Sequence, residues 1–362
     1  MSDDLNTVGY LNRHLRTGDT GIQDKVDDLI NACQGSSENA ALYKEMVLTV
    51  VRMAQADRDR WDAKIMLQTI RELEQAFARL ELFKRRRKVT VFGSARTPIS
   101  HDLYMLAKKM GAALARNEFM TITGAGAGIM AAAHEGAGLD NSLGFNITLP
   151  FEQRSNDIVR GTDHELPFKF FFLRKLFFVK EADALVLCPG GFGTLDETLE
   201  LLTLIQTGKS PVVPVILLDL PDGRFWSGLV EFFRHQLCES GYIAESDLNL
   251  MTVAHSPDEA MEHILRFYSN YHSARWVDDQ YVIRLYRPLT EAAIKQINEE
   301  FAGICKEPGF HQTHDSPSES DEPELNQLVR LGFVFNGRDH GRLRALIDVL
   351  NQPHNQQNHG TA

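Results

Sequence analysis

Two stretches of this chain combine residue types that chemistry can use. Leu173-Arg174-Lys175 sits among Phe168, Phe170, Phe171, Phe172, Phe177 and Phe178, and Pro189-Gly190-Gly191-Phe192-Gly193-Thr194-Leu195-Asp196-Glu197 follows it. A helix as apolar as the first is largely buried, and a cation on it needs an anionic partner. Glu197 falls in the first turn of the helix that the glycine turn opens. It is either a capping-box acid favoured by the helix dipole, worth about 0.3–1 kcal/mol, or a carboxylate kept for chemistry. Arg174 is correspondingly either half of a structural ion pair, with Glu197 as its partner, or a cation held for a ligand.

Two further glycine turns sit at strand ends: Phe92-Gly93-Ser94-Ala95-Arg96 and Thr123-Gly124-Ala125-Gly126-Ala127-Gly128-Ile129-Met130. Glycine lets backbone approach a ligand closely, and the free N–H groups of a helix start favour an anion such as phosphate. Tight strand-to-helix turns also use glycine for steric reasons alone, but three in one sheet point to a phosphate-bearing ligand. Two nucleotide motifs fail. Ala127 and Ile129 break the GxGxxG spacing, and Gly208-Lys209-Ser210 lacks the first P-loop glycine (Thr203 stands there) and follows a helix instead of opening one.

Taken together, the Arg174-Lys175 pair and PGGFGTLDE resemble the LONELY GUY family, long mislabelled as lysine decarboxylases. The resemblance runs from about Val89 to Tyr268 and includes the Gly-Ser turn, the second glycine turn and His134-Glu135-Gly136-Ala137. It departs from the plant-type pattern in the aromatic run before Arg174, where those members carry Met, His and Glu, and in two flanking segments like those of larger bacterial relatives. The resemblance implies hydrolysis of the N-glycosidic bond of a nucleoside 5′-monophosphate to free base and ribose 5-phosphate, without metal or cofactor. The substrate could be a cytokinin ribotide or an ordinary purine or pyrimidine nucleotide. Glu197 would stabilise positive charge on the ribose and orient water, and Arg174 would face the departing base or hold substrate. Gly190, Gly191, Gly193 and Thr194 would take the phosphate, with Ser94, Gly124, Gly126 and Gly128 on the rest of the nucleotide. Lys175 would support the phosphate or pair with a neighbouring acid. A pyridoxal phosphate decarboxylase would need a Schiff-base lysine, and Lys175 is the only lysine near the motif. The alternative from another class is a non-catalytic nucleotide sensor using the same pocket; the presence of both Arg174 and Glu197 favours the enzyme.

The elements that must carry these residues are readable from periodicity. Strands are expected at Val89 to Gly93, Phe119 to Thr123, Leu143 to Thr148, Ala184 to Cys188 and Val212 to Leu218, with a weaker one at Leu248 to Val253. Helices are expected at His101 to Arg116, from Gly128, and at Lys169 to Glu181, Thr194 to Thr207, Phe225 to Ser240 and Pro257 to Asn270. This alternation predicts an α/β fold, a doubly wound, Rossmann-like parallel sheet over residues 89–271. Residues 1–88 form a helical extension: the stretch from Ser36 to Phe92 has neither Gly nor Pro and repeats apolar residues at three and four. A single helix there would run ~70 Å, so a break or hairpin is expected. Residues 272–351 read as a small βα–βα, α+β segment: a strand at Tyr281 to Tyr286, a helix at Thr290 to Cys305, a mobile loop at Lys306 to Pro323, a strand at Leu328 to Phe335 and a helix at Gly341 to Leu350. Residues 352–362 read as a disordered tail.

Composition narrows the classes. The 362 residues hold 38 Lys and Arg against 49 Asp and Glu, a formal charge of −11. That balance opposes nucleic acid or an anionic membrane as a partner. The basic run Lys84-Arg85-Arg86-Arg87-Lys88 reads first as a solvated junction before a strand and second as contact with a regulatory nucleotide, to which the C-terminal segment could contribute. Four scattered cysteines (Cys33, Cys188, Cys238, Cys305), a polar Met1-Ser2-Asp3-Asp4 start and no apolar run near the roughly 20 residues of a bilayer span predict a reduced, cytoplasmic protein. The apolar stripe of the N-terminal helices predicts a homo-oligomer, a dimer or higher.

Overall fold

The computed structural model describes residues 20–34, 39–57, 59–148, 154–307, 309–313 and 325–357. The polar start at Met1–Asp4, the 314–323 part of the expected loop and the tail beyond 357 lie outside the described residues. Two compact units divide the chain between Arg71 and Glu72. In the first, α1 (Thr20–Gln34) and α2 (Ala40–Gln55) pack around Val26, Ile30 and Leu48, and Lys44 pairs with Asp27 at 2.6 Å. α3 (Arg60–Leu80) follows, so the long apolar pattern after Ser36 divides into two helices, with the break that its length predicted. The break after α2 coincides with Asp57, whose φ of 43° needs the tolerance of a short polar side chain. Among the described residues, no helix is long and apolar enough to cross a membrane.

The second unit, from Glu72, is built on seven parallel strands: β1 (Lys88–Phe92), β2 (Met120–Thr123), β3 (Ser142–Ile147), β4 (Glu165–Phe168), β5 (Ala184–Leu187), β6 (Val215–Leu218) and β7 (Thr252–Ala254), in the order β4-β3-β2-β1-β5-β6-β7. Helices α4 (Asp102–Arg116), α5 (Ile129–Ala137), α6 (Phe171–Glu181), α7 (Phe192–Gln206), α8 (Phe225–Phe232) and α9 (Pro257–Phe267) cover it. Alternation along the strands feeds two cores. In β5, Ala184 and Val186 join the cluster of α4, α5 and α9, whereas Leu185 and Leu187 join Leu173, Phe177 and Phe178 of α6 and Leu201 of α7. The strand order reverses between β1 and β5. A crevice opens at such a reversal outside the carboxyl ends of the strands, and the turns after β1 and β5 are two of the three glycine turns.

Three strands escaped the sequence pattern. β4 is a short edge strand containing Pro167, a residue an edge accommodates because it has no ladder N–H to give. Beyond α9, β8 (Tyr271–Val277), β9 (Gln280–Leu285), α10 (Glu291–Glu300), β10 (His311–Thr313), β11 (Val329–Phe333) and α11 (His340–Leu350) make a four-stranded antiparallel sheet, ordered β10-β11-β9-β8. The expected βα–βα pair thus gains two edge strands, one half-buried and polar, the other only three residues long and inside the expected loop. The tail expected to be disordered is structured as far as residue 357: Pro353–Asn355 is a short 3₁₀ turn, Asn355 is buried, and the Gln357 side chain donates to the Leu289 carbonyl at 2.9 Å. The Asn355 and Gln356 side chains likewise donate to the Val349 and Asn351 carbonyls at the end of α11.

One buried amide ties the C-terminal sheet to α9. Asn351 accepts from the amides of Asn270 (2.8 Å) and Tyr271 (2.9 Å) and donates to the Phe267 carbonyl (2.6 Å). Replacing it leaves two buried N–H groups and a carbonyl unsatisfied, each costing roughly 1–3 kcal/mol. Asn351→Ala should therefore lower the denaturant midpoint by the equivalent of at least about 2 kcal/mol, and an unchanged midpoint would refute the assignment.

Candidate functional site

At the crevice lies a cavity of about 810 Å³, a volume suited to a small ligand. Its wall includes Gly93 and Ser94 after β1, Gly124 after β2, Arg174 and Phe171 on α6, and Gly190, Gly191, Phe192, Gly193, Thr194 and Glu197 at the start of α7. The turns are locked to one another by backbone: the Ser94 amide donates to the Pro189 carbonyl at 3.1 Å, and the Ile129 amide donates to the Ser94 carbonyl at 3.1 Å. A side chain at Gly190 would meet Thr194 Oγ1 at 2.1 Å and the Ser94 nitrogen at 3.0 Å, so this glycine is dictated by packing. Gly191 and Gly193 face open space. Among the described residues, no acceptor is found for the amides of Gly191, Phe192 and Gly193. Those donors converge with the positive end of the α7 dipole on the cavity.

The charges come from α6 and α7. Glu197 is 7% exposed, and burial pushes its pKa up, against the attraction of Lys175 and Arg174. Lys175 lies 3.6 Å from Glu197 Oε1, 2.8 Å from Asp196, and is hydrogen-bonded to Glu200. Burial works against its charge, but these acids outweigh it and hold its pKa above the ordinary lysine value. Arg174 differs. Among the described residues, no carboxylate lies within 4 Å of its guanidinium; its Nε is buried without an acceptor, and the group stands over the rings of Phe171 (5.0 Å) and Phe178 (5.5 Å). Burial lowers its pKa, yet arginine starts so high that it remains cationic. The cavity therefore holds a buried carboxylate, a row of open amides and the uncommitted guanidinium of Arg174, with the exposed Arg96 after β1 also in its lining.

Residues 127–264 match the family described as "Possible lysine decarboxylase". A probable cytokinin riboside 5′-monophosphate phosphoribohydrolase of Oryza sativa subsp. japonica is 37% identical over 99 residues, covering 27% of this chain and 44% of that protein. The Arabidopsis thaliana cytokinin riboside 5′-monophosphate phosphoribohydrolase is 32% identical over 91 residues, covering 25% of this chain and 41% of its own. The resemblance to the LONELY GUY family holds. The chain spans less than half the length of these curated relatives. Among solved structures, the molybdenum cofactor binding protein of Rippkaea orientalis aligns at 23% identity over 49% of this chain and 94% of that one, with a TM-score of 0.34.

Of the residues expected to touch a ligand, Gly126 and Gly128 do not line the cavity, and Lys175 takes the second of its two expected roles, pairing with neighbouring acids. Gly128 is a packing residue: with φ +64°, a side chain there would meet the Ser94 carbonyl at 2.3 Å. The Gly126 carbonyl accepts from the Asn156 side chain at 3.2 Å. Lys175 is consumed by the three carboxylates of α7. The basic run is also largely committed: Lys84 pairs with Glu81, Arg86 donates to the Asp140 carbonyl and the Asn141 side chain, Arg87 lies over the Tyr268 ring at 3.7 Å, and Lys88 pairs with Glu181 at 3.2 Å.

Phe171, Phe192, Met130 and Ile147 line the cavity but carried no separate signal, apart from Phe192 as the variable residue of the motif. Also unforeseen is a buried brace under the second turn. His134 Nε2 lies 3.2 Å from Thr123 Oγ1 and from the Leu143 carbonyl, Thr123 Oγ1 accepts from the Ala125 amide at 2.9 Å, and burial pushes His134 down to about 4, so the ring is neutral at pH 7.

The two classes of glycine make opposite predictions. Gly190→Ala should break the contact between the β1 and β5 turns, lowering stability by about 1–3 kcal/mol. Gly193→Ala should stay within about 0.5 kcal/mol of wild type. Thermal unfolding measures both, and equal stability of the two variants would contradict this division.

Proposed function

We propose that this protein hydrolyses the N-glycosidic bond of a nucleoside 5′-monophosphate. The 5′-phosphate rests on the open amides of Gly191, Phe192 and Gly193 with the help of the α7 dipole. Ser94 and Gly124 flank the sugar side, and Phe171 offers an apolar wall to the base. As the bond from C1′ to the base nitrogen breaks, its electrons leave with the base and positive charge grows on the ribose. The Glu197 carboxylate stabilises that charge and orients the water whose oxygen adds to C1′. Arg174 offsets the negative charge of the departing base, which takes up the proton released by water.

The observation that carries the reading is Glu197 itself: a carboxylate buried in the wall of a cavity whose other polar groups suit an anion. A pure phosphate pocket gains nothing from it. The name of the matched family suggests amino-acid decarboxylation, but a Schiff-base lysine must give up its proton, and Lys175 is held cationic by Asp196 and Glu200. Similarity to phosphoribohydrolases supports the glycosidase reading, with a cytokinin ribotide as one substrate and AMP, GMP, CMP and UMP as others to be ranked.

Purified protein incubated with these nucleotides should release free base, detected by chromatography, and Glu197→Gln should reduce the rate on the order of 10²–10³-fold. Binding without base release would favour a sensor instead. The carboxylate must be ionised, so activity rises as pH climbs through its pKa, and burial displaces that acid limb above the ordinary 4.5. Lys175→Met removes a charge that lowers the Glu197 pKa, so the limb should move to higher pH. A limb that stays put would show that Glu197 is not the titrating group.

A further inference from the structure

Helix α6 starts without a cap of its own. Its preceding residue, Phe170, has extended backbone (φ −105°, ψ 130°) and no side chain able to accept from the first turn. Open amides at a helix start are costly where water is excluded. The two residues that lead into it are instead held from another element. Glu72, on the C-terminal half of α3, is 4% exposed, and its carboxylate oxygens accept from the amides of Lys169 (3.1 Å) and Phe170 (3.5 Å). The same helix grips the other end of this connection, where Arg79 donates to the Glu165 carbonyl at 2.8 Å, and the Phe77 ring stands edge-on to Phe177 at 5.2 Å.

From Phe170 to the cavity is one helical turn. The Phe170 carbonyl accepts the Arg174 amide at 3.3 Å, and Phe171 and Arg174 line the wall. Because no carboxylate among the described residues holds the guanidinium, the position of the α6 backbone decides where that cation stands. We propose that Glu72 is a positioning residue of this site: from α3 it anchors the two residues that enter α6 and thereby holds Arg174 at the cavity. Glu72 lies outside residues 127–264, where the family matches, so the N-terminal extension makes its own contribution to the centre. The inference rests on the reading of Arg174 as acting on a nucleotide.

A double-mutant cycle tests it, with kcat, KM and the Kd for AMP measured for wild type, Glu72→Ala, Arg174→Ala and the pair. Misplacing a reacting group by an ångström costs up to about 10²-fold. Glu72→Ala should thus lower kcat/KM on the order of 10-fold or more, through whichever of kcat or KM the Arg174 variant changes. In the Arg174→Ala background the same change should cost less than about 2-fold. Glu72→Gln, which keeps one oxygen acceptor, should recover part of the loss, and it carries the cycle if the alanine variant does not fold. Equal losses in both backgrounds, or none in either, overturn the proposal. If wild type binds AMP but releases no base, the glycosidase reading fails alone, and the cycle is read on Kd: coupling there still supports Glu72, and additivity removes it. A wild type that neither hydrolyses nor binds AMP overturns both.

Discussion

The reaction proposed for Glu197 sets the hardest requirement on this structure, because it needs a buried carboxylate to stay ionised in the wall of the cavity. Burial alone drives the proton onto it. Lys175 and Arg174 oppose that, and both come from α6, so the two helices must be held in a fixed relation for the site to exist. The two cations divide the work. Lys175 spends its charge on Asp196, Glu197 and Glu200, leaving Arg174 as the cation available to a ligand. A second uncommitted carboxylate, or the loss of either cation, would upset this balance.

The sheet meets the requirement by geometry. Strand order reverses between β1 and β5, so their following turns diverge to opposite faces and leave a crevice between them. The turns then hold each other through Ser94 and Pro189, and close approach at Gly190 admits no side chain. Beneath the second turn, the neutral His134 ring and Thr123 satisfy buried backbone around Ala125, whose φ of 57° is unusual for a residue with a side chain. The rigidity of the site is thus distributed over hydrogen bonds that no ligand touches.

Much of this was legible in the sequence, for reasons that differ by element. β1, β2, β3, β5 and β6 read clearly because strands buried on both faces are continuous apolar runs. Arg174 and Glu197 were legible because their types conflict with their surroundings. β4, β8 and β10 were not, since short or half-polar edge strands are defined by the neighbour they pair with and not by their own pattern. Gly128 and Gly126 show the limit of reading glycines: the same residue type marks a ligand contact, a close backbone packing and a carbonyl bonded to Asn156. Only the surrounding atoms separate these cases. Glu72 was invisible for a related reason, because an anchor supplied from almost a hundred residues away leaves no local signature.

The aromatic run of α6 gains a meaning from this arrangement. Leu173, Phe177 and Phe178 are buried against the sheet, while Phe171, Phe172 and Leu176 stay about half-exposed on the opposite side. A helix apolar on both sides has no strong preference for one rotation about its axis, since turning it exchanges one apolar face for another. Directional contacts must then fix its phase. They are polar and few: the Glu72 carboxylate at the two amides just before the helix, and Lys175 in its bed of α7 acids. Arg174 sits between these two points in sequence, so its guanidinium inherits the phase they impose. That is how a helix apolar on both sides can still present its cation to the cavity.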